Sequence, residues 1–218
     1  MTEVQPVGRN KSTMPFIAFE GLDGSGKSTL IGSLAEKLKA KGQSVVVTRE
    51  PGGTRLGDEI RKLLLAVRED PPVPRAELFL YEAARAQHVD AVIRPAIARG
   101  EWVLCDRFAA STLAFQCGGR RLEERVVGAL NAIAVDGVEP DLWILLDLPV
   151  EESLKRRQNR GTALDRFERE EQDFHERVRR HYLQQASKGG NWAVIDATQS
   201  PAQLRDQVAR LFEERRWL

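Results

Sequence analysis

The residues best suited to chemistry form the stretch GLDGSGKS, Gly21 to Ser28. It matches G-x-x-x-x-G-K-[ST] in full and lies between the apolar run FIAF and a segment with leucines at helical spacing. Its glycines let backbone N–H groups turn inward around phosphate oxygens, where a Cβ would obstruct them, and the following helix N-terminus adds partial positive charge. Lys27 can reach the β- and γ-phosphates, and the Ser28 hydroxyl can join a magnesium shell.

This motif predicts a nucleoside triphosphate site; the alternative is a glycine-rich strand-to-helix turn that holds no ligand. A GTPase switch would carry D-x-x-G after a later strand and N-K-x-D for guanine, and the sequence has neither. A chain of 218 residues is also short for a motor or helicase. The residues predicted to contact ATP are Gly21, Leu22, Asp23, Gly24, Ser25, Gly26, Lys27, Ser28 and Thr29.

Two further clusters follow predicted strands. TREPGGT carries Arg49, and CDRFAASTLAFQ begins with Asp106 and Arg107 at a strand end. Ligands of open α/β sheets bind beyond the carboxyl ends of the strands, where a guanidinium can fork onto a phosphate. In the second cluster Ser111 or Thr112 can read a base edge. A plain turn would explain the prolyl-glycyl part of TREPGGT but not its arginine.

Two more clusters lie on predicted helices. Tyr81 and Arg85 in YEAARAQ are four residues apart on one helical face, so a ring and a guanidinium can stack a base and bond its edge. LKRRQNRGTALDRFERE, residues 154–170, places arginines on both sides of Gly161. Such a charge run is otherwise a solvated helix face, but the break predicts a lid that excludes water from the reaction. Its arginines are Arg156, Arg157, Arg160 and Arg166.

Alternating apolar runs and amphipathic segments must position these clusters. They predict an α/β fold with a five-stranded parallel sheet covered by helices on both faces, a P-loop NTPase fold with a small helical lid. The predicted strands are Phe16–Glu20, Ser44–Thr48, Trp102–Cys105, Leu142–Leu146 and Ala193–Ile195. The predicted helices are Lys27–Lys41, Leu56–Val67, Ala76–Arg99 with a kink or a re-start at Pro95, Ser111–Gln116, Leu122–Val135, Val150–Asn159, Glu168–Ser187 and Pro201–Arg215.

Composition limits the partners and the setting. With 33 basic and 32 acidic residues the net charge is +1, which argues against a nucleic-acid coat or an electrostatic membrane binder. The two cysteines form no disulfide framework or metal spacing, and no apolar run approaches the roughly 20 residues of a membrane span. We expect a cytoplasmic protein with a disordered lead-in over residues 1–14 and one domain over residues 15–218.

The motifs EGLDGSGKST, TREPGGT, AAR.Q, DRF..ST.AFQ, PDLWILLD, RG..LDRFE and IDATQ resemble those of bacterial thymidylate kinases, in order and nearly in spacing. The resemblance spans almost the whole chain after the lead-in. It implies a homodimer that uses Mg²⁺ and transfers the γ-phosphoryl of ATP to dTMP. It places Ser28 and Asp106 at the metal and residues 196–199 near the adenine. The dTMP contacts implied are Asp23, Arg49, Tyr81, Arg85, Arg107, Ser111, Thr112, Phe115 and Gln116.

The resemblance also bears on catalysis. The variable P-loop positions 22–25 carry no basic residue, so it implies that the lid supplies the catalytic charge, through Arg157 and Arg160 first and Arg156 and Arg166 after them. The other catalytic residues implied are Lys27, Asp23 and Arg107.

The chain departs from the family pattern at three places. Tyr81 stands where Phe is usual, Phe115 stands where Tyr is common at a position associated with rejecting ribose, and the lid segment is one residue longer. Two alternatives stay open at this level: a kinase for another nucleoside monophosphate, and a P-loop protein that binds ATP without transferring its phosphate.

Overall fold

The computed structural model describes residues 14–159, 161 and 163–218, and its centre is a sheet of five parallel strands in the order β2-β3-β1-β4-β5. Their segments are short and continuously apolar, as strands covered on both faces are. β1 pairs with β3 so that Phe19 lies opposite Asp106, which brings the P-loop and the Asp106-Arg107 cluster to neighbouring strand ends. The strands are β1 Phe16–Glu20, β2 Val45–Arg49, β3 Trp102–Asp106, β4 Leu142–Asp147 and β5 Trp192–Asp196.

Helices cover both faces of this sheet. Side chains alternate between the faces along β1: Ile17 and Phe19 belong to one buried apolar cluster, and Phe16 and Ala18 belong to another. The predicted fold class is confirmed. The helices are α1 Lys27–Ala40, α2 Arg55–Leu65, α3 Pro74–His88, α4 Arg94–Ala98, α5 Ala109–Thr112, α6 Glu124–Val135, α7 Val150–Asn159, α8 Gln172–Ser187 and α9 Pro201–Glu214, with π-helical segments at Val89–Ile93 and Leu113–Gly119.

The helical segment predicted over 76–99 is divided into α3, a π-helical segment and α4. Pro95 lies in the first turn of α4, as the predicted re-start requires, because its ring fixes a helical φ and needs no amide partner there. The helix predicted over 111–116 is likewise divided, between α5 and the second π-helical segment. The helix predicted from Glu168 begins at Gln172, because residues 166–170 form a turn. The predicted lead-in lies outside the described residues apart from Met14. Within the described chain, no helix is both long and apolar enough to cross a bilayer.

Candidate active site

The P-loop joins β1 to α1 through a glycine turn that packs tightly against α7. Gly24 and Gly26 have φ values of 81° and 93°, in the left-handed region that glycine adopts without steric cost. A Cβ on Gly24 would lie 3.2 Å from the Cβ of Arg156, so the loop also needs glycine for its close approach to the helix. The Lys27 ammonium donates to the carbonyls of Gly21 at 3.0 Å and Leu22 at 3.1 Å. Burial and the nearby Arg107 lower the pKa of Lys27.

Beside the P-loop lies a cavity of about 620 Å³ into which cationic side chains from several elements converge. Lys27 comes from the start of α1, Arg49 from the end of β2, Arg107 from the turn after β3, and Arg156 from α7. This cavity, hereafter the phosphate cavity, therefore brings the P-loop together with three of the four further clusters that the sequence singled out. The predicted ATP residues on its lining are Asp23, Gly24, Gly26, Lys27, Ser28 and Thr29.

On one side of the phosphate cavity, the Ser28 hydroxyl donates to Asp106 Oδ2 at 2.7 Å. A hydroxyl and a carboxylate at this spacing match the oxygen chemistry that Mg²⁺ prefers. Among the described residues no group of three or more His, Cys, Asp or Glu side chains can hold a metal ion by itself. That sparse donor set fits Mg²⁺, which keeps several waters and relies on substrate phosphates for the rest of its shell.

Arg107, which also lines the phosphate cavity, has a left-handed backbone with φ 71°. Its Nη2 donates to Asp23 Oδ1 at 2.8 Å and its Nη1 donates to the Tyr182 hydroxyl at 3.0 Å. Burial opposes ionisation of Asp23, but the charges of Arg107 and Lys27 outweigh it and hold the pKa of that carboxyl well below its usual range. Asp23 is therefore an anion that keeps the guanidinium facing the cavity.

A narrow cleft continues from Arg107 towards α3. Tyr81 and Phe167 line it, and their rings meet edge to face with centroids 6.1 Å apart. Of the predicted dTMP contacts, the cleft brings together Asp23, Tyr81, Arg107, Ser111, Phe115 and Gln116.

Arg85 lies behind this cleft rather than on its lining. Its Nε donates to Glu50 Oε2 at 2.8 Å, and its Nη1 donates to Glu82 at 2.9 Å and Asn131 at 2.6 Å. The side chain is buried, and these bonds make it the centre of an ion-pair cluster under the TREPGGT loop. The predicted contact of Arg85 with a base edge finds no support in this geometry. Thr112 is buried as well and also lies off the cleft lining.

A second cavity, of about 420 Å³ and hereafter the adenine cavity after the base predicted there, lies between the P-loop and the start of α9. Arg156 and Gln199 both line it, and Arg156 Nη1 donates to the carbonyls of Gly24 and Ala197. The predicted adenine segment 196–199 thus contributes Gln199 to this lining. Gly26, Thr29 and Arg156 line both this cavity and the phosphate cavity, so the two adjoin at the P-loop.

Comparison with known proteins agrees with this geometry. The sequence profile described as thymidylate kinase matches residues 19–208. The chain belongs to the thymidylate kinase family. The thymidylate kinase of Bdellovibrio bacteriovorus is 51% identical over 210 residues, covering 94% of this chain and 98% of that protein. Those of Trichlorobacter lovleyi and Alcanivorax borkumensis are 48% and 46% identical over 200 residues each, covering 89% and 91% of this chain and 94% and 96% of those proteins.

Within this thymidylate kinase family member, the lid arginines do not share one role. Arg157 is 2% exposed, its Nη1 donates to the Glu168 carbonyl at 3.0 Å, and it lines neither cavity. Arg166 donates to Glu77 Oε2 at 2.6 Å and to the Leu64 carbonyl, which ties the segment to α2 and α3. The geometry therefore does not support the predicted catalytic role of Arg157. Arg160 lies outside the described residues.

Three residues of the site escaped the sequence reasoning. Arg61 of α2 lines both the phosphate cavity and the cleft and donates to the Pro51 carbonyl at 3.0 Å. Its signal was weak, because a lone arginine on an amphipathic helix is typical of a solvated face. Glu20 and Tyr182 are buried beneath Arg107. In the sequence Glu20 is the last residue of an apolar strand, which gave no sign of a function. Tyr182 is distant from Arg107 in the sequence, and only the fold brings the two together.

Proposed function

We propose that this chain transfers the γ-phosphoryl group of Mg·ATP to dTMP, giving dTDP and ADP. The observation that carries the proposal is the phosphate cavity itself, whose lining combines P-loop residues with Arg49 and Arg107. A P-loop alone would bind a triphosphate, but further cations from two other strand ends on the same cavity suit a second phosphorylated ligand. Membership of the thymidylate kinase family supports dTMP as that ligand.

In this proposal the acceptor phosphate is held by Arg107, Arg49 and Arg61. A phosphate monoester is already anionic, so the reaction needs no general base, and the protein acts by positioning and charge neutralisation. The Arg107 and Asp23 pair lies between the acceptor side and the P-loop. Asp23 keeps the guanidinium oriented, and Lys27 can leave its two carbonyl partners for the phosphates of ATP.

Ser28 and Asp106 would hold Mg²⁺ together with the ATP phosphates. The ion, when bound, would neutralise charge on the β- and γ-phosphates. Asp106 and Arg107 are consecutive residues at the end of β3, so the metal side and the acceptor side share one rigid strand end. This arrangement ties the positions of the Asp106 and Arg107 side chains to each other through the backbone.

The base would enter the cleft, with Tyr81 stacking on it and Phe115, Gln116 and Ser111 lining the base and sugar side. Gln116 Nε2 donates to Glu77 at 2.8 Å, which fixes the orientation of its amide. A pocket shaped for the thymine methyl is worth about 1–3 kcal/mol, so we expect dUMP to be a poorer substrate by about 10–200-fold. Equal kcat/KM values for dUMP and dTMP would contradict a methyl-fitting pocket.

The catalytic positive charge above the transferring phosphoryl group is assigned to Arg160. Of the other lid arginines, Arg157 and Arg166 are tied to groups of the protein. Arg156 lines both cavities, but its Nε donates to Glu152 and its Nη1 donates to the Gly24 and Ala197 carbonyls, so it too is engaged by the protein. Lid closure over the cleft would also exclude water, which keeps ATP from being hydrolysed.

A homodimer is part of the proposal. Phe79 of α3 is 58% exposed and Ile133 of α6 is 76% exposed, and Val126 of α6 is a further exposed apolar residue. Exposed apolar side chains on neighbouring helices suit burial against a second copy of the chain. Light scattering coupled to size-exclusion chromatography tests this: a monomer at micromolar concentration would contradict it.

The experiment that tests the function measures ADP formation from Mg·ATP with dTMP, dUMP, dGMP, AMP and CMP offered one at a time. A strong preference for dTMP is the expected result. Preference for another monophosphate would keep the phosphate cavity but overturn the assignment of the cleft. ATP binding without ADP formation from any acceptor would favour a non-catalytic P-loop protein.

A further inference from the structure

A buried polar cluster lies directly beneath Arg107, on the side away from the phosphate cavity. It consists of Glu20 at the end of β1, Ser111 in α5 and Tyr182 in α8. Glu20 is fully buried and Tyr182 is 1% exposed. Nothing in the phosphate chemistry described above uses Glu20 or Tyr182, and a buried carboxylate is costly unless its bonds serve a purpose.

The cluster holds the backbone of Arg107. A non-glycine residue at φ 71° costs on the order of 1 kcal/mol and persists only when its surroundings fix it. The Arg107 amide donates to the Phe19 carbonyl at 2.9 Å, and the next amide, that of Phe108, donates to Glu20 Oε1 at 2.9 Å. One oxygen of Glu20 therefore fixes the chain direction immediately after the left-handed residue.

The cluster also holds the side chain of Arg107. The hydroxyls of Ser111 and Tyr182 donate to Glu20 Oε2 at 2.6 and 2.9 Å. The two hydroxyls also lie 2.7 Å from each other, and each keeps an oxygen lone pair for Arg107 Nη1, which donates to Tyr182 at 3.0 Å and to Ser111 at 3.4 Å. The ring of Phe115 lies 5.1 Å from the guanidinium carbon and completes the support.

We infer that Glu20 and Tyr182 are positioning residues for the acceptor phosphate, acting through Arg107. The carboxylate orients two hydroxyls as acceptors, the hydroxyls orient Nη1, and Nη2 is left facing Asp23 and the phosphate cavity. The inference rests on the proposed function, since it assigns the acceptor phosphate to Arg107. It predicts that the cluster affects the acceptor and leaves ATP binding unchanged.

The test uses the full-length enzyme and compares Tyr182→Phe with Gln185→Leu. Tyr182→Phe keeps the ring and removes the hydroxyl that accepts a hydrogen bond from Arg107 Nη1. Gln185 is on the same helix, and its Nε2 donates to the Ala110 carbonyl at 3.1 Å without touching Arg107, so Gln185→Leu matches the loss of a buried bond. We expect Tyr182→Phe to raise the KM for dTMP by about 10–100-fold, because the bond is to a charged group. KM for ATP should stay within about twofold, and Gln185→Leu should change neither KM even if it lowers the melting temperature equally.

Two further variants test whether Glu20 and Tyr182 act through Arg107. Glu20→Gln retains an acceptor for the Phe108 amide but loses the carboxylate, and we expect it to raise the KM for dTMP as Tyr182→Phe does. In an Arg107→Met background, Tyr182→Phe should add no further loss, because the two residues act through one guanidinium. A Tyr182→Phe enzyme with unchanged KM for dTMP, or an equal loss on top of Arg107→Met, would overturn the inference alone. A wild-type enzyme without dTMP kinase activity would overturn the proposed function and the inference with it.

Discussion

Two arginine-bearing regions flank the phosphate cavity, and they use the same residue type differently. At the carboxyl edge of the sheet, Arg107 rests on a buried polar cluster and turns Nη2 towards Asp23 and the cavity. In the segment 154–170, Arg157 and Arg166 give donors to the Glu168 carbonyl and to Glu77 inside the protein. In the first region the arginine is oriented towards the cavity, and in the second region the arginines form hydrogen bonds that stabilise the segment itself.

This difference indicates that the position of an arginine relative to the strand ends predicts its role here, whereas the number of neighbouring charges in the sequence does not. Residues just beyond the end of a central parallel strand lie at the ligand edge whatever their neighbours are. On α7, by contrast, Arg156 and Arg157 are adjacent and so point about 100° apart on the helix. The Arg156 guanidinium donates to the Gly24 carbonyl of the P-loop, and the Arg157 guanidinium is buried against the Glu168 carbonyl and His175 of α8.

The largest expected effect separates Arg160 from Arg157. Replacing Arg160 with Ala should lower kcat by about 10³–10⁵-fold, the range for an arginine that neutralises a transferring phosphoryl group. Arg157→Met should lower kcat by less than about 10-fold and destabilise the fold by about 1–3 kcal/mol, because a buried carbonyl loses its donor. Steady-state ADP formation and urea unfolding measure the two quantities. A collapse of kcat in Arg157→Met with unchanged stability would reverse the two assignments.

The next effect compares two arginines that both face the acceptor side. Arg107→Met should lower kcat/KM for dTMP by about 10–150-fold, since a bond to a charged group is worth about 1.5–3 kcal/mol. Arg49→Met should cost less, because its side chain is 57% exposed and its bond to Asp58 is 3.3 Å long.

The ionic strength should also separate Arg49 from Arg107. Raising the ionic strength should reduce the contribution of exposed Arg49 more than that of Arg107, whose side chain is only 14% exposed, because solvent screens exposed charges first. The measurement is kcat/KM for dTMP of each variant relative to wild type, at low and high potassium chloride. Equal salt dependence of the two ratios would mean that the burial of Arg107 does not shield its charge.

Much of the sheet edge could be predicted from the sequence, because its signals are local. The P-loop spacing, the strand ends at Arg49 and Arg107, and the order of strands and helices each follow from neighbouring residues. The roles of Arg85 and Arg157 could not be predicted in this way. A guanidinium on a helix faces a ligand or a buried carboxylate according to which elements pack beside it, and those partners, such as Glu50 and Asn131 for Arg85, are distant in sequence.

The smallest predicted effect tests whether Arg157 is structural, through His175 on α8. Burial and then the charge of Arg157 lower the pKa of His175 to about 4 from 6.5, so the folded protein keeps the ring neutral while the unfolded chain takes up a proton below pH 6.5. Folding stability should therefore fall as pH drops from 6.5 towards 4, and at pH 5 the loss from this residue is up to about 2 kcal/mol. Urea unfolding at pH 7 and pH 5 measures this loss of stability.

His175→Gln should remove that part of the pH dependence, whereas His181→Gln, at a half-buried histidine of the same helix, should remove less. In Arg157→Met the pKa of His175 should rise, which NMR titration can follow; an unchanged pKa would show that Arg157 does not act on this histidine.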